Sequence, residues 1–295
     1  MEHTAIFYKP IHKVKDAKLS IDDLHHYSLS VQMGARDFQL CVIDTRDNRC
    51  LAMEDFALSK VRSYKQLTEV LNNLFDDHQF LNAGFWKSVK FSLKNSKFSL
   101  VPDKLFDRNN SYDYLNVSCT VNPDKETFLY YKHIKSKAVN SFAIPTDLFN
   151  WINKLYKNSS VLITHQSSAL IEGVLRQVVK YSGPTIYLFI DRFKLHIITS
   201  KNGELEYYNQ FIISRFSEYM KYIMMVMQGL KYNQKNTEIV LWGYLGRKSP
   251  HFTEFSKFIK NISFGDRPDY LKFGYLFDDL QDHHYFDLYS TYLCD

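Results

Sequence analysis

The sequence predicts an α/β protein built of two similar halves, with mixed sheets flanked by helices, facing one another across a cleft. Three observations predict it. The chain has 295 residues, enough for two domains at about 150 residues each. A meander of three strands followed by an amphipathic helix can be read twice, in the same order. Residues 185–190 and 239–242 are apolar without alternation, the pattern of strands covered on both faces.

The first half, residues 1–180, opens clearly near Leu24. Tyr27, Leu29, Val31 and Met33 alternate with His26, Ser28, Ser30 and Gln32, which is strand periodicity. Gly34, Ala35, Arg36 and Asp37 read as a turn, residues 38–43 as a second strand and 50–56 as a third, with Asp47 and Asn48 turning between them. Ser63 can cap a helix running to about His78, with Leu67, Val70, Leu71 and Leu74 on one face. Behind this block, residues 88–93 and 98–101 read as strands, 147–157 as a helix, 161–164 as a buried strand and 167–179 as another helix. The polar, Asn/Ser-rich segment 107–141 reads as a small insertion.

The second half, residues 181–295, repeats the pattern after Gly183 and Pro184. Residues 185–190 and 194–199 form two strands. Lys201, Asn202 and Gly203 make a hairpin turn, and residues 205–213 form the third strand. From Ser214 a helix follows, with Phe216, Met220, Ile223, Met224, Met227 and Leu230 at helical spacing. Residues 239–242 are a strand ending at Gly243, and a helix starts near Ser249.

Composition removes several function classes. Hydrophobic residues make up 45% and charged residues 23%, ordinary globular usage that excludes a disordered chain. The 37 basic and 32 acidic residues leave a net charge of +5. The densest basic stretch, residues 9–18, is broken by Pro10 and Asp16, so the charge does not demand nucleic acid. Cys41, Cys50, Cys119 and Cys294 show no paired spacing, which fits a reducing compartment. Without an apolar signal core or a run of 18 apolar residues, the expectation is a cytoplasmic protein with no membrane insertion.

A duplicated unit of hairpin, third strand, helix, strand and helix resembles the actin-like ATPase superfamily of ribonuclease H-like fold, which includes actin, the sugar kinases and the Hsp70 ATPase domain. The chain resembles more closely a family of uncharacterised bacterial proteins of this fold, and distantly the pilus-assembly and cell-division actin homologues. The resemblance implies two phosphate-gripping hairpin turns, each with Asp-x-Gly, where the Asp acts through the metal and the Gly admits the phosphates. Here the first turn reads Gln32, Met33, Gly34: the Gly is present and an amide stands in the carboxylate position. The second reads Asp191, Arg192, Phe193: the Asp is present and Phe replaces the Gly. Gln supplies no negative ligand to Mg²⁺, and a Phe ring fills space that backbone approach needs. The adenosine-binding turn of the family has its counterpart in residues 240–246, where Gly243 and Gly246 remain and Tyr244 takes the second Gly position. A strand-to-helix loop that needs glycine for geometry alone explains the same residues. Residues 167–173 resemble the small-residue helix at the family's domain hinge, with Ala169 and Gly173 one turn apart.

The resemblance therefore implies a vestigial nucleotide site at Gln32, Gly34, Asp191, Gly243 and Gly246, no catalytic or metal-ligating residues, and no tightly bound ATP or Mg²⁺. Asp278, Asp279, Asp282, His283, His284 and Asp287 form an acidic, His-bearing cluster, but adjacent histidines point in different directions and read better as part of an aromatic tail docked on a core. The leading expectation is a non-catalytic actin-like protein acting on a macromolecular partner, most simply a protein. The alternatives are a divergent nucleotide-binding ATPase or kinase-like switch, and an RNA- or ribosome-associated helper whose many Tyr and Phe stack on bases.

Overall fold

The computed structural model describes residues 8–177 and 184–295. The expected Gly183 turn, the end of the 167–179 helix and the 180/181 boundary lie outside the described residues, as do residues 1–7. In chain order the first sheet takes β1 (Tyr8–Lys15), β2 (Tyr27–Met33), β3 (Asp37–Asp44), β4 (Arg49–Leu58) and β5 (Ser88–Leu93). A small separate sheet takes β6 (Phe98–Pro102), β7 (Glu126–Lys132) and β8 (Ala138–Pro145), and β9 (Ser160–His165) returns to the first sheet. The second sheet holds β10 (Thr185–Asp191), β11 (Lys194–Lys201), β12 (Glu204–Ile212), β13 (Glu238–Gly243) and β14 (Ile262–Phe264). Seven helices run α1 (Tyr64–Asp77), α2 (Ser111–Asn116), α3 (Thr146–Leu155), α4 (Gln166–Gln177), α5 (Phe216–Gly229), α6 (Pro250–Phe258) and α7 (Phe286–Ser290) among the described residues.

The two large sheets share one strand order. β4-β3-β2-β5-β9 and β12-β11-β10-β13-β14 are each three antiparallel strands followed by two parallel ones. Parallel pairing requires a crossover, which α1 and α5 supply in equivalent places. The unbroken apolar runs explain why β10 and β13 are interior: Ile186, Leu188, Ile239 and Leu241 bury one face, while Tyr187, Phe189, Val240 and Trp242 bury the other. Each such side chain contributes about 1.5–3 kcal/mol. Local signals set the boundaries. The Ser63 side chain accepts from Gln66 N at the start of α1, and Ser249 does the same for Phe252 N at α6. Asn202 and Gly203, both at positive φ, close the β11–β12 hairpin.

Four details differ from the sequence reading. β1 was not anticipated, because its Lys- and His-rich, mostly exposed pattern is that of an edge strand. β2 is buried on both faces rather than one. Its Ser28, Ser30 and Gln32 are buried because α7 and the turn Thr291–Leu293 pack on β2. Residues 161–164 belong to a strand at the end of the first sheet and only partly buried, not a fully buried one. Finally, β6 joins the small sheet rather than the first, so that sheet begins before and ends after segment 107–141.

The C-terminal segment returns to the first sheet. β15 (Lys272–Phe273) pairs with β4 at Arg49 and Cys50, and α7 packs on α4, β2 and β3. Gly173 permits this: a Cβ there would lie 2.1 Å from Ser290 Oγ. No helix among the described residues is long and apolar enough to cross a membrane.

Candidate functional site: a cleft closed by internal ion pairs

The turns after β2 and β10 face each other, lining one cavity of about 230 Å³ with Gly34, Arg36, Asp37, Asp191, Arg192 and Phe193 among its walls. Gly34 N donates to Asp37 O at 2.9 Å. The Asp37 carboxylate then folds over the glycine so closely that a Cβ would meet its Oδ1 at 2.7 Å. The close approach that glycine permits here is made by the chain's own carboxylate.

Lys94, the residue after β5, stands between the two halves. Its Nζ donates to Asp37 Oδ2 at 2.6 Å and to Asp191 Oδ1 at 3.1 Å. The second half answers with Arg192, whose Nε lies 3.4 Å from Asp37 and whose Nη2 lies 3.6 Å from Asp55. Lys194 Nζ donates to Lys94 O at 3.1 Å. Above them, the Arg36 guanidinium covers the Phe193 ring at 4.5 Å. Gln39 Nε2 also donates across the cleft to the Tyr244 hydroxyl.

Lys94, Asp37 and Asp191 are almost wholly buried, so the charges are expensive unless matched. Burial opposes the charge on Lys94, but Asp191, Asp37 and Asp287 outweigh it and hold the ammonium charged well beyond the ordinary lysine range. Burial also opposes the charge on Asp191, but Lys94 and Lys194 outweigh it and lower its pKa to about 2. Asp287 behaves oppositely: burial pushes it up to about 6, more than Lys94 offsets. Gln166 Nε2 bridges the two acids, at 2.9 Å from Asp191 and 2.8 Å from Asp287. Asp37, Asp55 and Asp191 thus face Lys94, Arg192 and Lys194 across the cleft, with Asp287 beside them as the adjustable member.

That member gives a pH prediction. Folding raises the Asp287 pKa above its unfolded value of 3.8, so its contribution favours the fold at low pH and is lost as pH rises through about 6. The fall in stability between pH 4 and pH 7.5 is expected to be about 2 kcal/mol smaller in Asp287→Asn than in the unsubstituted protein. Urea denaturation at the two pH values measures it.

The predicted site residues fall into three groups. Gly34 and Asp191 meet in the cleft. Gln32 does not line that cavity: it is buried in β2 with its amide donating to Ser92 Oγ at 3.3 Å. Gly243 lies beside Ile190 in the β10–β13 register, and Gly246 has open space where a Cβ would stand. Beyond Gly243 is a second cavity of about 240 Å³ with Arg192, Phe216, Tyr219, Tyr244 and His251 in its walls. The Phe216 and His251 rings stack there at 4.6 Å. Phe193 is 55% exposed and stands in the wall of the cavity between the turns, while Lys94 bonds to the acids Asp37 and Asp191 on either side. Sequence reasoning missed Lys94. Lys90, Ser92 and Lys94 alternate with Val89, Phe91 and Leu93, and that inward polar face was the available signal.

The acidic, His-bearing tail is divided by the fold. Asp287 belongs to the cleft, Asp282 pairs with Arg267 at 2.9 Å, and His283 Nε2 meets Leu245 O at 2.9 Å.

Comparison with known proteins agrees with this fold. The profile of the family described as "Protein of unknown function (DUF3822)" matches residues 16–262. The chain belongs to that family. Among solved structures, a Bacteroides thetaiotaomicron VPI-5482 protein described as having an actin-like ATPase fold and unknown function superposes with a TM-score of 0.80 at 19% identity. The match covers 95% of this chain and 100% of that one. A structure described as the PilM–PilN type IV pilus biogenesis complex gives 0.62 at 10% identity, covering 90% and 97%. No curated protein matches the chain. The fold of this DUF3822 member is the actin-like ATPase fold.

Proposed function

We propose that this protein is a non-catalytic actin-like scaffold that acts by binding a macromolecular partner, with its cleft held shut by its own side chains. The observation that carries the reading is Lys94, a fixed cation bonded to a carboxylate from each half. Where an ATPase of this fold needs room for phosphate and metal charge, Asp37 and Lys94 already match one another. Admitting Mg-ATP here means breaking buried ion pairs, at about 3–5 kcal/mol for each partner removed. The fold-level likeness to PilM, described in complex with PilN, supports action through a protein partner.

The expected result is that Mg-ATP binds no tighter than about millimolar, with turnover at background. Isothermal calorimetry on the purified protein decides it. A micromolar dissociation constant overturns the reading. It would favour the second one, a nucleotide-dependent switch, which the aromatic cavity beside Gly243 supports.

A further inference from the structure

Between the small sheet and the second sheet runs a groove of about 430 Å³, whose walls include Phe98, Leu100, Tyr208, Gln210 and Ile212. None of its lining residues is charged. Both walls are strand edges: β6 ends the small sheet and β12 ends the second.

The registers fix which backbone groups face the groove. Ile213 N donates to Phe193 O at 2.8 Å, so Phe193 and Ile213 are a hydrogen-bonded pair of the β11–β12 ladder. Antiparallel pairs alternate, and the main-chain groups of Tyr208, Gln210 and Ile212 therefore point away from β11. Likewise Ala143 N donates to Lys97 O at 3.0 Å, which turns the main-chain groups of Phe98 and Leu100 away from β8. All five residues line the groove. The Gln210 N–H is met only locally, by the neighbouring Asn209 Oδ1 at 2.8 Å, and Gln210 Oε1 is buried with no hydrogen-bond partner among the described residues.

Open edges are normally defended, and β1 shows how. It carries Lys9, Lys13 and Lys15, with Pro10 and a bulge. β12 lacks such a defence over its last six residues, Tyr207, Tyr208, Asn209, Gln210, Phe211 and Ile212, which include no charge, proline or glycine.

We propose that this groove binds an extended, uncharged segment of a partner protein as an added strand, hydrogen-bonded to the β12 edge and flanked by β6. Residues 208–212 span about 14 Å, room for about five residues of strand. A groove walled on both sides admits a lone strand but not the edge of a second folded copy. Uncharged walls favour alternating apolar and small polar side chains over an acidic or basic peptide. This assignment rests on the scaffold reading and gives its partner a site.

The test selects seven-residue peptides from a display library on the full-length protein and resynthesises the best binder with alternate amides replaced by esters. The expected result is enrichment of uncharged, alternating sequences. Their binding falls at least about tenfold on ester replacement and in Ile212→Lys or Leu100→Lys, both checked for native circular dichroism. Amide exchange slows at Tyr208, Gln210 or Ile212. A library yielding no binder, or binders indifferent to the esters and to both substitutions, overturns the groove assignment and leaves the scaffold reading standing. Micromolar Mg-ATP binding overturns that reading whatever the groove does.

Discussion

Lys94→Met is expected to destabilise the protein by about 3–5 kcal/mol, the range for stripping one partner from a buried ion pair. Methionine matches the length and volume of the lysine stem, so packing is largely kept and the loss reports the charge. Asp37 and Asp191 are left facing each other with only Arg192 and Lys194 to balance them, and Arg192 is committed partly to Asp55. The defect should shrink as pH falls toward about 2, where Asp191 accepts a proton and no longer needs the ammonium. A triple variant adding Asp37→Asn and Asp191→Asn should recover much of the loss, because removing a charge cluster whole costs far less than halving it. Denaturant midpoints measure all three proteins. A Lys94→Met loss under about 1 kcal/mol at neutral pH would falsify the idea that this cation holds the halves together.

Local pattern carried most of the fold and little of the closed cleft, and one physical reason covers both. The runs at Thr185–Asp191 and Glu238–Gly243 reveal their burial by their own composition. The burial of Lys94 is set by residues 57 and 97 positions away in sequence, and a lysine at a strand end ordinarily lies in water. Asp287 was hidden likewise. Beside His283 and His284 it reads as one of an acidic, His-bearing cluster on a docked aromatic tail, and its place in the cleft follows only from the packing of α7 on α4. β1 was missed for the opposite reason. The lysines and proline that defend an edge erase the alternation by which strands are recognised. Gly34 was legible as a glycine with a backbone reason. Which group approaches it, the chain's own Asp37, was not.

Gly243→Ala is expected to cost more than about 4 kcal/mol and leave little folded protein, whereas Gly246→Ala should change stability by no more than about 0.5 kcal/mol. Gly243 sits at φ 100°, where an L side chain is strained, and its Cβ would stand 2.1 Å from Ile190 O and 2.7 Å from Ile190 N. Those atoms are backbone of β10, and no rotamer change relieves the clash. The strands must part, breaking the parallel pairing of Ile190 with Gly243 and the bond from Tyr244 N to Ile190 O at 2.8 Å. Asp191 is the next residue, so the displacement carries directly into its contact with Lys94. Gly246 has nothing within 4 Å of the same atom and is not at positive φ. Expression in soluble form, followed by urea melts of whatever folds, separates the two variants. The contrast also bears on function. Packing against Ile190 requires a glycine at 243 whether or not a nucleoside ever binds, so that glycine lends the ATPase reading no support. Equal tolerance of both substitutions would remove the packing explanation and return Gly243 to the nucleotide site.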